Sequence, residues 1–273
     1  MKLSNTNTRI IVSIIAMPII ITGCLSGGYS FLFISFVIAL LAFYEFKTMS
    51  DKKGIFISLP FGLLSAASLV YSGYRPELSN NVLIPVIVFS IVLSEMFKNK
   101  GSAISNIGAS LLGILYIGLS IQSLVRIREL FAGADYVRGG YLIVTTLATI
   151  WVCDSAAYFG GLRFGKHRLF LRVSPKKSWE GAIFGFVFSI ISVVLAKYFF
   201  LSFLSWLNAI MLGLIIGIFG QVGDLAESWL KRDAGVKDSS NIIPGHGGIF
   251  DRFDSLIAVA PMVYGYLYFF IKN

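Results

Sequence analysis

Charge is scarce in this chain. Asp, Glu, Lys and Arg make up 14% of its 273 residues, where a soluble domain carries about 25%. With 56% of the residues hydrophobic, that shortfall excludes an ordinary soluble protein and points to a membrane-embedded one. Cysteine is nearly absent: Cys24 and Cys153 stand alone in apolar surroundings with no C-x-x-C pair. Neither a disulfide framework nor a zinc site is suggested, and redox chemistry is not expected. Long polar stretches are missing too. The longest, Leu162–Glu180 and Lys231–Asp254, have 19 and 24 positions, too few for a separate extramembrane domain. No internal repeat of the kind that marks many transporters is found. The net charge of +9 is dispersed over short segments, which fits anionic lipid headgroups or a polyphosphate substrate and argues against nucleic acid.

What is present is a series of apolar runs near the length of about 20 residues that crosses a hydrocarbon core as helix. There are nine: Ile10–Leu25, Tyr29–Tyr44, Gly54–Tyr71, Val82–Phe97, Ala103–Val125, Gly140–Gly161, Gly181–Phe200, Trp206–Leu230 and Ser255–Ile271. The expected fold is all-α, a polytopic integral membrane protein with about nine transmembrane helices. It forms a single membrane-embedded domain over 1–273, with scaffold helices over 1–135 and the polar motifs over 136–273. The first two runs form a tight hairpin through Ser26-Gly27-Gly28. The opening "MKLSNTNTR" and the run ending in "ITGC" resemble a lipoprotein signal, but the chain continues into "LSGGYSFLFISF" rather than a polar tether. A retained first helix is therefore expected. Across nine spans, 17 Lys and Arg fall on the amino-terminal side and five on the other, so the amino terminus and both long polar segments are expected in the cytoplasm.

Asp154, in "WVCDSAAYFGG", and Asp224 with Glu227, in "GQVGDLAESWL", lie inside apolar runs, where an ionised side chain costs at least ~2.5 kcal/mol near a helix centre. Asp224 and Glu227 share a helical face, and Asp251 and Asp254 repeat the spacing. Several acids at one depth beside basic segments suit a divalent cation, although for Glu227 a structural role, neutral or paired with lysine, accounts for it equally well. Gly160 to His167 reads G-x-x-x-x-G-K-H. It lacks the Ser or Thr and the preceding strand of a P-loop, so that assignment is rejected. Further on, Ser174, Lys176, Lys177 and Ser178 follow the pattern S-P-K-K-S. Two ammonium groups and two hydroxyls around a proline-stiffened turn can hold a triphosphate, or form a snorkelling basic loop.

The densest polar cluster is "SWLKRDAGVKDSSNIIPGHGGIFDRFDS". Ser228, Lys231, Arg232, Lys237, Asp238, Pro244, His246, Gly247, Gly248, Asp251, Arg252 and Asp254 stand there at intervals that resemble the signature of the phosphatidate cytidylyltransferase (CDP-diacylglycerol synthase) family. The blocks around Asp154, Ser174–Gly181 and Gly223-Asp224 resemble it as well, whereas the first half resembles it only in being hydrophobic. The resemblance implies a magnesium-dependent reaction of CTP with phosphatidic acid to CDP-diacylglycerol and pyrophosphate, with room for a second cation. It implies Asp224 and Asp251 as metal ligands, Asp254 as an assistant and Asp154 as a weaker candidate; because both ligands flank the Lys231–Ile249 loop, they are expected to share one centre. Lys231, Arg232, Lys237 and Arg252 would neutralise phosphates, and Ser174, Lys176 and Lys177 would hold the nucleotide. Gly247 and Gly248 would let phosphate approach backbone N–H groups, with His246 as a donor to a phosphate oxygen. The site is expected at the cytoplasmic face of a bacterial plasma membrane, among membrane lipids, with homo-oligomerisation left open. The alternatives are a CTP-dependent transferase acting on another lipid phosphate and, from another class, a cation-coupled transporter.

Overall fold

The computed structural model describes residues 5–133, 135–242 and 247–271, with side chains from residue 12 onward. Each apolar run falls on helix. The order is α1 (Asn5–Ser26), α2 (Gly28–Lys52), α3 (Leu59–Tyr74), α4 (Asn80–Met96), then α5 (Ala103–Gly113), a π-helical segment (Ile114–Leu119) and α6 (Ser120–Glu129) joined end to end. After these come α7 (Tyr136–Phe164), α8 (Trp179–Phe199), α9 (Trp206–Asp233) and α10 (Phe250–Phe270). Among the described residues six helices are long and apolar enough to cross a membrane: α2, the joined helix 103–129, α7, α8, α9 and α10. At 16 and 17 residues, α3 and α4 are shorter.

The all-α expectation needs one correction. Between α7 and α8 the chain forms an antiparallel hairpin of β1 (Arg168–Phe170) and β2 (Ser174–Ser178). Leu169, Phe170, Leu171 and Val173 favour extended backbone. Pro175 cannot donate to a ladder, but in a two-stranded ribbon every strand has an open edge. Several boundaries also move, most of all the end of α2, which runs on to Lys52 rather than stopping at Tyr44. The third helix begins at Leu59 rather than Gly54, because Gly54 sits at φ +72 and a proline occupies the first turn of α3. The last begins at Phe250, so Asp251 lies in its first turn rather than before it, where the exposed N–H groups and the helix dipole favour a negative charge. The α1–α2 turn runs through Gly27 and Gly28, both at positive φ, as the hairpin reading requires.

The chain divides into two compact units, Met1–Arg126 with Lys231–Phe253, and Ile127–Leu230 with Asp254–Asn273. In the first, small residues let the helices close: a Cβ on Gly62 would lie 2.1 Å from the Phe43 ring, and one on Gly118 2.9 Å from Leu69. Two of its buried polar clusters are paired internally, as a water-poor core demands. Asn80 and Gln122 exchange hydrogen bonds of 2.7 and 3.0 Å, and Glu95 accepts from Asn106 and Lys98 at 2.6 and 2.9 Å.

In the second unit, Gly160, Gly181 and Gly185 seat α7 against α8. The glycines of the rejected P-loop pattern are thus packing residues: a Cβ on Gly160 would meet Phe184 at 2.6 Å. On α9, Gly213 and Gly217 face α8, with the Ser189 hydroxyl donating to the Gly213 carbonyl at 3.0 Å. Gly223 faces α10, where a Cβ would stand 2.8 Å from the Asp254 carbonyl, while Gly220 has slack. The second unit therefore closes through small residues, as membrane helices do.

Candidate active site

In the second unit the β-hairpin fixes the two lysines of S-P-K-K-S. Trp179 N–H donates to the His167 carbonyl at 2.9 Å, closing the hairpin onto α8. Ser178 is the N-cap of α8, its hydroxyl accepting from Gly181 N–H at 3.2 Å, so its oxygen is engaged by the helix. Glu180 reaches back to the N–H groups of Lys166 and His167 at 3.0 and 3.2 Å and to His167 Nδ1 at 2.6 Å. With both ends tied, Lys176 is exposed at the surface, whereas Lys177 turns toward α9 and pairs with Asp224 Oδ2 at 2.5 Å.

That pair opens an acidic group in the same unit. Asp224 and Lys177 are each about one-third exposed, so both remain reachable by solutes. Ser228 donates to Asp224 Oδ1 at 3.4 Å from the next turn. The half-buried Asp254 carboxylate lies within electrostatic reach of Asp224, Asp154 and the Lys177 ammonium. Glu227, on the same helix as Asp224, is buried and 1% exposed. Asp224 and Asp254 therefore share the Lys177 ammonium, with Asp154 within electrostatic reach of Asp254. Among the described residues no group of three or more His, Cys, Asp or Glu is arranged to hold a metal by itself.

The signature loop belongs to the first unit. Lys231 Nζ donates to Asp251 Oδ1 at 2.7 Å, both side chains being largely buried. Asp251 Oδ2 accepts from Ser239 N–H at 3.0 Å and Gly248 N–H at 2.8 Å, with Ser239 Oγ 2.9 Å away. Gly247 adopts φ +84, and a Cβ there would meet Asp251 Oδ2 at 2.7 Å. A Cβ on Gly248 would stand 2.0 Å from Ser239 Oγ and 2.4 Å from Glu45 Oε2. Both glycines thus make room for carboxylates of the protein itself, and the Gly248 N–H is given to Asp251. Arg232, Lys237 and Arg252 are exposed, with Arg232 Nη1 donating to the Val236 carbonyl at 3.1 Å. Pro244 and His246 lie outside the described residues.

A family model described as the cytidylyltransferase family matches residues 7–270. The chain belongs to that family. Proteins named phosphatidate cytidylyltransferase are similar along nearly their whole length. The one from Brucella suis biovar 1 is 35% identical over 266 residues, covering 96% of this chain and 93% of its own. Those from Staphylococcus haemolyticus and Staphylococcus aureus strain COL are 35% and 36% identical, covering 93% and 94% of this chain and 96% of their own.

In this cytidylyltransferase the structure brings Lys177, Asp224 and Asp254 into one neighbourhood, and Lys231, Asp251, Gly247 and Gly248 into another. Sequence reasoning missed Glu45, Ser239 and Ser240, which line the second neighbourhood. The available signal was an acid directly after the apolar run Tyr29–Tyr44, and nothing local distinguishes it from a solvated helix end.

Proposed function

We propose that this protein transfers CMP from CTP to phosphatidate, giving CDP-diacylglycerol and pyrophosphate, at the cytoplasmic face of a bacterial plasma membrane. The observation that carries the reading is the likeness to relatives of that name over at least 93% of both chains. Nine crossings, with the amino terminus inside, accord with the bias of 17 basic residues to five.

The chemistry joins a phosphate oxygen of the lipid to the α-phosphorus of CTP and breaks the bond from that phosphorus to the bridging oxygen, with pyrophosphate leaving. An anion attacks an anion, so the barrier falls when positive charge faces both. Lys176, exposed on the hairpin, meets the triphosphate, with Ser174 beside it. Lys177 shares its charge between nucleotide and Asp224. Lys231, Arg232, Lys237 and Arg252 neutralise phosphate charge from the signature loop. Near neutral pH the attacking phosphate is already anionic, so no general base is required and His246 acts as a donor.

The acids fit magnesium, which takes oxygen ligands and is commonly held by one or two carboxylates completed by substrate phosphates. The acidic group offers oxygens alone, without a thiolate or imidazole that would favour a softer metal. Asp224 and Asp251 already hold a cationic partner, Lys177 and Lys231 respectively. Asp224 and Asp251 are the proposed ligands, with Asp254 assisting and Asp154 more distant in role. When bound, the ion supplies positive charge to non-bridging phosphate oxygens.

The test is conversion by purified protein in detergent of labelled CTP and phosphatidate to CDP-diacylglycerol. Turnover should vanish with EDTA, return with Mg2+, and be nearly abolished in Asp224→Asn. Conversion of a polyprenyl phosphate in place of phosphatidate would transfer the reading to another lipid acceptor.

A further inference from the structure

We propose that Glu45, in the amino-terminal half, is a positioning residue that sets the geometry of the signature loop for phosphate chemistry. This rests on the transferase reading above.

Glu45 is 0% exposed in α2, and a buried carboxylate is costly unless donors meet its oxygens. Oε1 accepts from Ser240 Oγ at 2.6 Å and Ile249 N–H at 2.9 Å. Oε2 accepts from Ser239 Oγ at 2.9 Å and Phe250 N–H at 2.7 Å. Each oxygen thus takes one hydroxyl from the start of the loop and one amide from its end. The amides belong to the N-terminus of α10, whose N–H groups have no acceptor within the helix and whose dipole favours a negative charge. One side chain on α2 therefore caps α10 and pins residues 239–240 to 249–250.

Two further contacts tie this clamp to Asp251, the metal ligand proposed above, and to Phe250 beside it. Ser239 Oγ lies 2.9 Å from both Glu45 Oε2 and Asp251 Oδ2, so its single proton is shared between the two carboxylates and the hydroxyl couples the position of Asp251 to Glu45. Phe46, next to Glu45, packs edge-on against the fully buried Phe250 with ring centroids 6.5 Å apart. A helix cap alone would need only the two amides. The hydroxyls on the opposite end of the loop make Glu45 a device for loop shape, and reacting groups must be held within about 0.5 Å to keep their rate.

Glu45→Gln preserves shape but removes the charge and turns an NH2 toward one hydroxyl, which can reverse and accept from it, and one backbone N–H, which cannot and loses its acceptor. The control is Glu95→Gln, a buried carboxylate of the same unit whose partners Asn106 and Lys98 lie outside the loop. Hydrogen exchange of peptides covering 247–253, thermal stability, kcat and KM for CTP are measured on full-length protein in detergent. Glu45→Gln should speed exchange there about tenfold and lower kcat about tenfold, with KM for CTP moving less than about threefold. Glu45→Asp, which retains the charge, should restore part of the kcat. Glu95→Gln should lose stability and keep kcat within about twofold. Wild-type kcat in Glu45→Gln, or an equal kcat loss in Glu95→Gln, overturns the inference. If Glu45→Gln is not recovered folded, Ser240→Ala, which removes one of the four donors, carries the test, and unchanged kcat and exchange overturn it. A wild type that does not turn over CTP with phosphatidate defeats the transferase reading instead. Exchange at 247–253 in the variant then still decides whether Glu45 fixes the loop.

Discussion

A methyl group added at Gly248 would stand 2.0 Å from Ser239 Oγ, so Gly248→Ala must displace either that hydroxyl or Glu45. Each buried polar group left unmet costs about 1–3 kcal/mol, and the variant should melt several degrees lower and lose turnover. Gly235 offers a contrast within the same loop, since it sits at φ +70 with open space around it. Gly235→Ala should cost about 1–2 kcal/mol of backbone strain and retain turnover, which a thermal melt with an activity assay separates. The need for glycine at 247 and 248 was legible in the sequence. Its neighbour was not, because the pattern suggested an approaching phosphate and the space is taken by Glu45 and Asp251, the former some 200 positions distant.

At the level of elements, the helices could be read because a lipid environment leaves the backbone few alternatives. The hairpin could not, since its twelve or so residues show neither helical periodicity nor clean alternation. The hairpin matters for how two adjacent lysines differ. Lys176 is exposed and Lys177 is paired with Asp224. Lys176→Ala should therefore raise the KM for CTP about tenfold with kcat little changed. Lys177→Ala should lower kcat as well, because it also removes the partner of Asp224. Steady-state kinetics with CTP and lipid varied in turn check this, and a shift of the lipid KM alone would reassign the hairpin to the phosphatidate headgroup. Ser178 shows how a hydroxyl in a promising motif can belong to its helix: the N-cap role accounts for it fully.

For the whole molecule, composition alone revealed the membrane class, but not the division into units. Both units are assembled from segments far apart in sequence, and hydropathy carries no information about which distant segments pair. Orientation is testable independently of activity. Cysteines placed in Leu162–Glu180 should react in intact cells only with reagents that cross the membrane, and a reporter fused after Asn273 should work only outside the cytoplasm. Labelling of that segment by an impermeant reagent would reverse the orientation.

The clamp between Glu45 and the signature loop also has a history in time. Ser239 follows Glu45 by 194 positions, roughly 10–40 s of synthesis at ~5–20 residues per second. During that interval the second helix carries an acid whose donors do not yet exist, and an ionised side chain resists entry into hydrocarbon. Glu45 follows directly on the apolar run Tyr29–Tyr44, where water can meet its charge until the loop arrives. The loop, by contrast, emerges to find its acceptor already made. A chain that stops before Ser239 is left displaying an uncompensated acid, a chemical mark by which an unfinished copy differs from a finished one.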